Sequence, residues 1–387
     1  MGIVDRIKEI EDEMKRTQIN KATEGHLGRL KAKLAKLRTE LLEGEKTSGG
    51  GGEGFDVAKS GDGRVALIGF PMYHSQLTET QSETNAVEFT TLTCIPGNLI
   101  YNDVRIQLLD LPGIIEGAAH GRGRGREVIA VAKSADMILM VLDAGQEAGN
   151  RHREILENEL ETVGLRLNRQ PPDIYFRKKN GGGITFNSTL RLTKLGDDPY
   201  QTVYKILHEY KLHNCEVLFR EDCTTDDLID VIEGNRKYVK CLYVYNKVDV
   251  VSIEDVDRLA RMPNSTVIAC AHGDRPALNF DTLLAKMWDY MGLTRVYTKR
   301  RGEAPQFEEP VVLGSERKGV SVQSACMSFQ CTKYNPQRVG KEHMLSDEDV
   351  LQVIVKTANQ QKRDKNYNQK VQAYFDKYKK KKKALKT

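Results

Sequence analysis

At 387 residues, with 39% hydrophobic and 29% charged residues, the chain is long enough for two or three domains with cores of their own, and its composition is that of a soluble globular protein. Its net charge is +5, no apolar run approaches the roughly 18 residues of a membrane span, and the opening MGIVDRIKEIEDEMKR is too charged for a signal peptide and has Arg6 where a myristoylation motif needs Ser or Thr. Seven scattered cysteines without a C-x-x-C pair argue against a disulfide frame or a zinc site, and a reducing, cytoplasmic setting is expected.

The spacing predicts helices over 3–16 and 23–44. In the second, Leu27, Leu30, Leu34, Leu37 and Leu41 recur at three- and four-residue steps as one apolar stripe. Lys21, Arg29, Lys31, Lys33, Lys36 and Arg38 occupy its other faces. Such a hairpin can pack on its own apolar seam and leave a solvated basic surface, or use that surface to contact RNA. The run SGGGGEG (48–54) is a flexible hinge that ends this unit.

From 64 to 145 the runs RVALIGF, RIQLLDLPG and MILMVLDA alternate with Gly-rich turns and helical stretches, and the pattern resumes at KCLYVYNKVD (240–249) and STVIAC (265–270). Continuous apolar strands of this kind belong to a parallel sheet covered on both faces. The composition changes over about 165–237, where PPDIYFRKKNGGGITFNS reads as a hairpin. The α/β domain is therefore interrupted by a small α+β insertion. Short strands follow over 293–357.

Several strand ends carry chemistry. The first leads into GFPMYHSQLTE, where a phosphate-binding loop belongs: Gly, four residues, then Gly-Lys-Ser/Thr. Counting from Gly69, these three positions hold His74, Ser75 and Gln76. EFTTLTCIPG supplies Thr90 and Thr91, whose hydroxyls suit a Mg²⁺ ion or a γ-phosphate. They are equally ordinary strand residues. In DLPG, Asp110 can hold a Mg²⁺-bound water and the Gly113 N–H can meet a γ-phosphate. In NKVD, the Asp249 carboxylate can accept two hydrogen bonds from guanine, a pair of donors adenine does not offer. Asn246 can bridge neighbouring loops, and the Lys247 stem can lie over the base. The order of these motifs is that of a GTPase.

With these motifs, and with ATEGHLGRLKAKLAKLR, GEGFDVAKSGD, IQLLDLPGIIEGAAHGRGRGREVIAVA, IEGNRKYVKCLYVYNKVD and KYNPQRVGKEH, the chain resembles the developmentally regulated GTP-binding proteins, the DRG branch of the Obg-type GTPases, and most the second paralogue. The resemblance covers about residues 1–357. It implies a P-loop-type G domain with GTP/GDP and Mg²⁺, slow hydrolysis, association with translating ribosomes, and a DRG family regulatory protein as partner. It further implies an N-terminal helix-turn-helix (1–47), a linker (48–62), a G domain in two parts (63–164 and 238–292) around the insertion (165–237), and a C-terminal ubiquitin-like TGS domain (293–357) before a basic tail (358–387). On this alignment Thr90, Thr91, Asp110 and Gly113 serve the reacting phosphate, with Thr91 and Asp110 on the metal. Gly69, Asn246, Lys247 and Asp249 hold the nucleotide, joined by Ala269 and Cys270 of the last guanine-contacting loop. Ile114 stands where many GTPases have a water-positioning Gln, and Arg122, Arg124 and Arg126 resemble a basic second switch.

The chain departs from the family twice. Only sixteen residues, Met72 to Val87, join GFP to EFTT, and the phosphate lysine, its glycine and the Mg²⁺-binding hydroxyl are missing. In SVQSACMSFQCTKYNPQRVG a helix and a central strand of the TGS domain are omitted, so an incomplete sheet is expected there. Three readings follow: a slow GTPase linked to translation, a pseudo-GTPase that keeps the fold, or a ribosome- or RNA-binding scaffold. The tail suits the last role, since residues 361–387 carry eleven Lys/Arg against two Asp, leaving the body at −4, with Tyr367, Tyr374, Phe375 and Tyr378 interleaved.

Overall fold

The apolar runs form the centre of a seven-stranded sheet in the computed structural model, which describes residues 2–43, 61–69, 95–111, 131–145, 148–270, 277–299, 303–314, 329–331, 337–338 and 343–353. The chain divides into two units, Met1–Met291 and Gly292–Thr387.

In the first unit, β1 (Gly63–Gly69), β3 (Val104–Asp110), β4 (Met137–Asp143), β9 (Lys237–Asn246) and β10 (Ser265–Val267) run parallel. β2 (Ile95–Tyr101) is antiparallel to β3. Asn102 and Asp103 join them with φ of 51° and 63°, the two left-handed residues that a tight hairpin turn requires. The order is β10-β9-β4-β1-β3-β2, and β5 (Leu165–Leu167) pairs with the start of β9. Residues of β4 are buried throughout, the pattern of a strand covered on both faces. On one face Ile138, Met140, Leu142, Tyr243 and Tyr245 share a cluster with Leu156 and Leu160 of α3 (Ala148–Thr162) and Leu259 of α6 (Ile253–Ala260). α7 (Phe280–Met291) closes the unit, burying Leu283 and Met287.

The insertion is a three-stranded sheet, β6 (Ile174–Lys178), β8 (Cys215–Phe219) and β7 (Ile184–Ser188) in the order β6-β8-β7, with α4 (Pro199–Glu209) and α5 (Thr225–Glu233). Asp198 caps α4 by accepting from the Gln201 N–H, and Pro199 occupies its first turn. Thr224 and Asp227 form a capping box on α5, and Gly234 ends it in the left-handed region.

The N-terminal helices, α1 (Ile3–Arg16) and α2 (Glu24–Glu43), correct the expectation of a hairpin closed on its own seam. Leu27, Leu30 and Leu34 are buried, but so are Ala32 and Ala35, which join the insertion core with Val203, Ile206, Val217 and Phe219. Gly28 makes this approach possible, since a Cβ there would lie 3.2 Å from Ile206 Cδ1 and from Thr225 Cγ2. Polar contacts seal the contact: Lys31 Nζ donates to Asp226 at 2.7 Å and the Thr225 hydroxyl to Glu24 at 3.1 Å. Arg38 pairs with Glu11 of α1 at 2.8 Å. Two of the six cations expected on a free basic surface are thus committed inside the unit.

In the second unit the sheet is continuous, contrary to the incomplete one expected. β11 (Leu293–Lys299), β12 (Gln306–Gly314), β13 (Phe329–Cys331), β14 (Gln337–Arg338) and β15 (Asp349–Val353) take the order β12-β11-β15-β13-β14. β11 and β15 are parallel, and every other pair is antiparallel. Three-residue β13 occupies the interior place beside β15, so backbone pairing closes the gap that the shortened sequence leaves. Arg295 pins the turn before β15: its N–H and guanidinium both donate to Asp347 at 2.7 Å.

Candidate functional site

Parallel strands of an open sheet present their C-terminal ends along one edge, and ligands bind in the crevice outside that edge. Here the register aligns five such ends: Leu67 of β1 lies opposite Asp110, Gly69 opposite Val141, Asp143 opposite Asn246, and Tyr245 opposite Val267. Gly69, Asp110, Asp143 and Asn246 therefore terminate four adjacent strands.

Gly69 is glycine for a local reason. Its φ is +118°, and a Cβ there would collide with the Val141 carbonyl oxygen of β4. No side chain fits where the chain leaves the sheet. Asp110 is half-buried at the end of β3, and its carboxylate makes no hydrogen bond or ion pair among the described residues. Burial alone pushes its carboxyl up to about 6. A desolvated carboxylate without a donor is the oxygen ligand that a hard divalent cation favours, so this residue fits a Mg²⁺ role.

Asn246 is buried, and its side chain ties two loops together. Its Oδ1 accepts from the Lys247 N–H at 2.8 Å and from the Cys270 N–H at 3.2 Å. Its backbone carbonyl accepts from the Ala144 N–H at 2.9 Å, adding the loop after β4. Lys247 has φ of +60°, which turns the chain sharply into a single 3₁₀ turn, Val248–Val250. Val248 is buried, while Lys247 and Asp249 on either side are exposed at the strand edge. Ala269 is buried and bridged to Leu278 by two backbone hydrogen bonds of 3.2 and 2.8 Å, which holds the loop carrying Cys270.

The structure adds Asp143, which sequence reasoning passed over. Its carboxylate is buried at the end of β4, accepts from the Gly145 N–H at 2.9 Å and pairs with Lys247 Nζ at 2.8 Å. The signal was present in MILMVLDA, an apolar strand ending in a carboxylate as QLLD does. The ion pair fixes the direction of the Lys247 stem, which then runs along the edge between β4 and β9. Beneath the site, Arg153 of α3 stacks over the Tyr243 ring at 3.7 Å, and the Tyr243 hydroxyl donates to Glu157, anchoring β9.

Gly69, Asp110, Asn246, Lys247, Asp249, Ala269 and Cys270 thus share one edge of the sheet. Thr90, Thr91, Gly113, Ile114, the loop holding His74, Ser75 and Gln76, the arginines 122, 124 and 126, the glycine linker and the tail lie outside the described residues.

Residues 72–178 match the family described as 50S ribosome-binding GTPase, and residues 181–293 match the C-terminal region of the MMR_HSR1 domain. Similar curated proteins include developmentally-regulated G-protein 2 of Arabidopsis thaliana, 58% identical over 93% of each chain, and G-protein 1 of the same plant, 60% identical over 92% of each. Developmentally-regulated GTP-binding protein 2 of Homo sapiens is 55% identical over 92% of this chain and all of its own. At this identity over nearly the whole length, the strand-end residues and the comparisons place the chain in the developmentally regulated GTP-binding protein family, a family of GTP-binding GTPases.

Proposed function

We propose that this chain is a guanine-selective nucleotide switch that turns GTP over slowly and works at the ribosome. The observation that carries the reading is Asn246, whose side chain joins the NKVD turn to the Cys270 loop and sets Asp249 at the strand edge. In this reading Asp249 reads the base, Lys247 lies along it, and Ala269 and Cys270 wall it. Asp110 and Thr91 would hold Mg²⁺, which supplies charge neutralisation for the phosphates. Thr90 and Gly113 contact the γ-phosphate.

The phosphate side is weaker than the base side. One charge-assisted contact is worth about 1.5–3 kcal/mol, or about ten- to hundred-fold in affinity, and the loop after Gly69 lacks its lysine. We therefore expect weak GTP and GDP binding with guanine kept over adenine. Ile114, in place of a water-positioning Gln, fits slow turnover.

The remaining roles follow the family. The domains are assigned as 1–47, 63–164 with 238–292, 165–237 and 293–357, the last a TGS domain. Its strand order, with the first and last strands parallel at the centre, is that of a ubiquitin-like sheet. A DRG family regulatory protein is the expected partner and the cytoplasm the expected place; among the described residues no helix is long and apolar enough to cross a membrane. Ribosome attachment rests on the family description and on the basic tail.

Titration with a fluorescent GTP analogue, competed by GTP, GDP and ATP, tests the reading. Micromolar or weaker binding displaced by guanine nucleotides and not by ATP is expected. Equal displacement by ATP would overturn it.

A further inference from the structure

A cleft of about 380 Å³ lies away from the strand-end site, between α1, α2, α3 and α5. Three guanidiniums converge on it: Arg38 from α2, Arg166 from β5 and Arg236 from the residue before β9. With Lys15 and Lys31 they make five cations in the lining against four carboxylates, Glu11, Glu161, Asp226 and Asp230. Arg38 donates to Glu11 at 2.8 Å, and Arg166 grips both oxygens of Asp230 at 2.7 and 2.8 Å. Arg236 shares that same Asp230, which already accepts both bonds of the Arg166 fork.

Arg236 is the unusual member. Its side chain is only 7% exposed, yet it makes no hydrogen bond among the described residues, and its Nε lies 3.3 Å from Asp230 without donating to it. A buried guanidinium whose donors are unused is costly, and its remaining N–H groups call for an acceptor. Its place is prepared. Gly164, at φ of +95°, has no side chain where a Cβ would come within 2.6 Å of Arg236 Nη1. The Arg38 Nε is likewise buried without an acceptor. Burial lowers the Arg38 pKa against the pull of Glu11, and the Arg236 charge lowers it further. The Arg38 and Arg236 side chains line this one cleft and lie close enough for one charge to act on the other, and the guanidinium of Arg236 makes no hydrogen bond among the described residues.

We propose that this cleft binds a small phosphate-type oxyanion, inorganic or esterified, gripped by Arg236 and Arg38. A planar fork matches phosphate oxygens, and an anion between the two guanidiniums relieves their repulsion. Its position gives it a consequence. Arg236 directly precedes β9, the strand that ends in Asn246, and Arg166 lies opposite Tyr238 at the foot of the same strand. The bound anion joins α2 to the root of β9.

The test is thermal unfolding of the full chain with rising inorganic phosphate, at saturating GDP and with chloride adjusted to constant ionic strength. A saturable rise in the midpoint is expected, since a ligand of the folded state stabilises by mass action. Arg236→Gln should weaken the apparent affinity at least tenfold. Should that variant fail to fold, Arg38→Gln, at the rim of the cleft, should weaken it at least threefold. Glycerol 3-phosphate is the second arm: tighter binding than phosphate assigns the site to esters, and equal or weaker binding to the free ion. A midpoint that follows ionic strength alone, or a phosphate response unchanged in the variants, would falsify the site.

Discussion

The two halves of the strand-end site differ in kind. On the base side, β4, β9 and the loop after β10 are tied by short hydrogen bonds through one buried side chain, Asn246, and by the Lys247–Asp143 ion pair. On the phosphate side, β1 and β3 end in Gly69, which only glycine fits, and in Asp110, whose carboxylate lacks a donor among the described residues. The sequence after Gly69 then omits the lysine that would grip the phosphates. In the proposed function selectivity and affinity for a nucleotide reside in different residues, so one can persist where the other is reduced. Each test below acts on one half and asks whether the other responds.

The largest effect is expected at Asp249. Replacing it by Asn removes a charged acceptor for two donors of guanine, each worth about 1.5–3 kcal/mol, so guanine affinity should fall about a hundred-fold or more. ATP competition should change little, and the guanine-to-adenine ratio read by competition decides the matter. Unchanged guanine binding would remove Asp249 from the base pocket.

Next comes a gain. The triple change His74→Gly, Ser75→Lys and Gln76→Ser restores the Gly-Lys-Ser of a phosphate loop. GTP affinity should rise about ten- to hundred-fold, the worth of a charge-assisted contact, while the guanine-to-adenine ratio stays fixed. A change in that ratio would mean the two halves are coupled.

A smaller loss is expected from Asp143→Asn. Lys247 is 57% exposed, so water already screens much of its pair with the buried carboxylate. The substitution should weaken guanine nucleotides by no more than about tenfold, through the freed Lys247 stem. Calorimetric titration of wild type and variant with GDP measures it, and a loss as large as that of Asp249→Asn would promote Asp143 to a direct contact.

Much of this architecture is legible in the sequence, for a physical reason. Strands buried on both faces must be continuous apolar runs, so RVALIGF, RIQLLDL and MILMVLD could be placed, and their polar last residues marked the edge. Three things were not legible. The second contact face of α2 is built from Gly25, Gly28, Ala32 and Ala35, and small residues leave no apolar stripe although they permit the closest packing. Asp143 belongs to no short motif, and its partner Lys247 is more than a hundred residues away in the chain. The sheet of the second unit closes through β13 and β14, whose pairing is made by backbone atoms and is too short to show a period.

The smallest effect concerns Asp110 and is separable by its sign. Its carboxyl is raised from an ordinary 3.8 to about 6 by burial, so the folded chain holds a proton there that the unfolded chain has lost. Between pH 6 and 4 the folded state binds more protons than the unfolded state, so this group adds stability as pH falls through that window and withdraws it as pH rises. A metal ion needs the opposite form. Mg²⁺-dependent GTP binding should therefore decline from pH 7 to pH 5, while this group's own contribution to stability grows. Guanine selectivity, which the proposed function assigns to Asp249 across the sheet, should stay level over the same interval. Nucleotide titrations with and without Mg²⁺ at the two pH values, alongside Asp110→Asn, read all three quantities. The variant should lose the Mg²⁺ increment at both pH values and leave the metal-free guanine-to-adenine ratio alone. If instead the ratio falls with pH in step with the Mg²⁺ increment, base and phosphate recognition titrate together and the separation of the two halves is wrong.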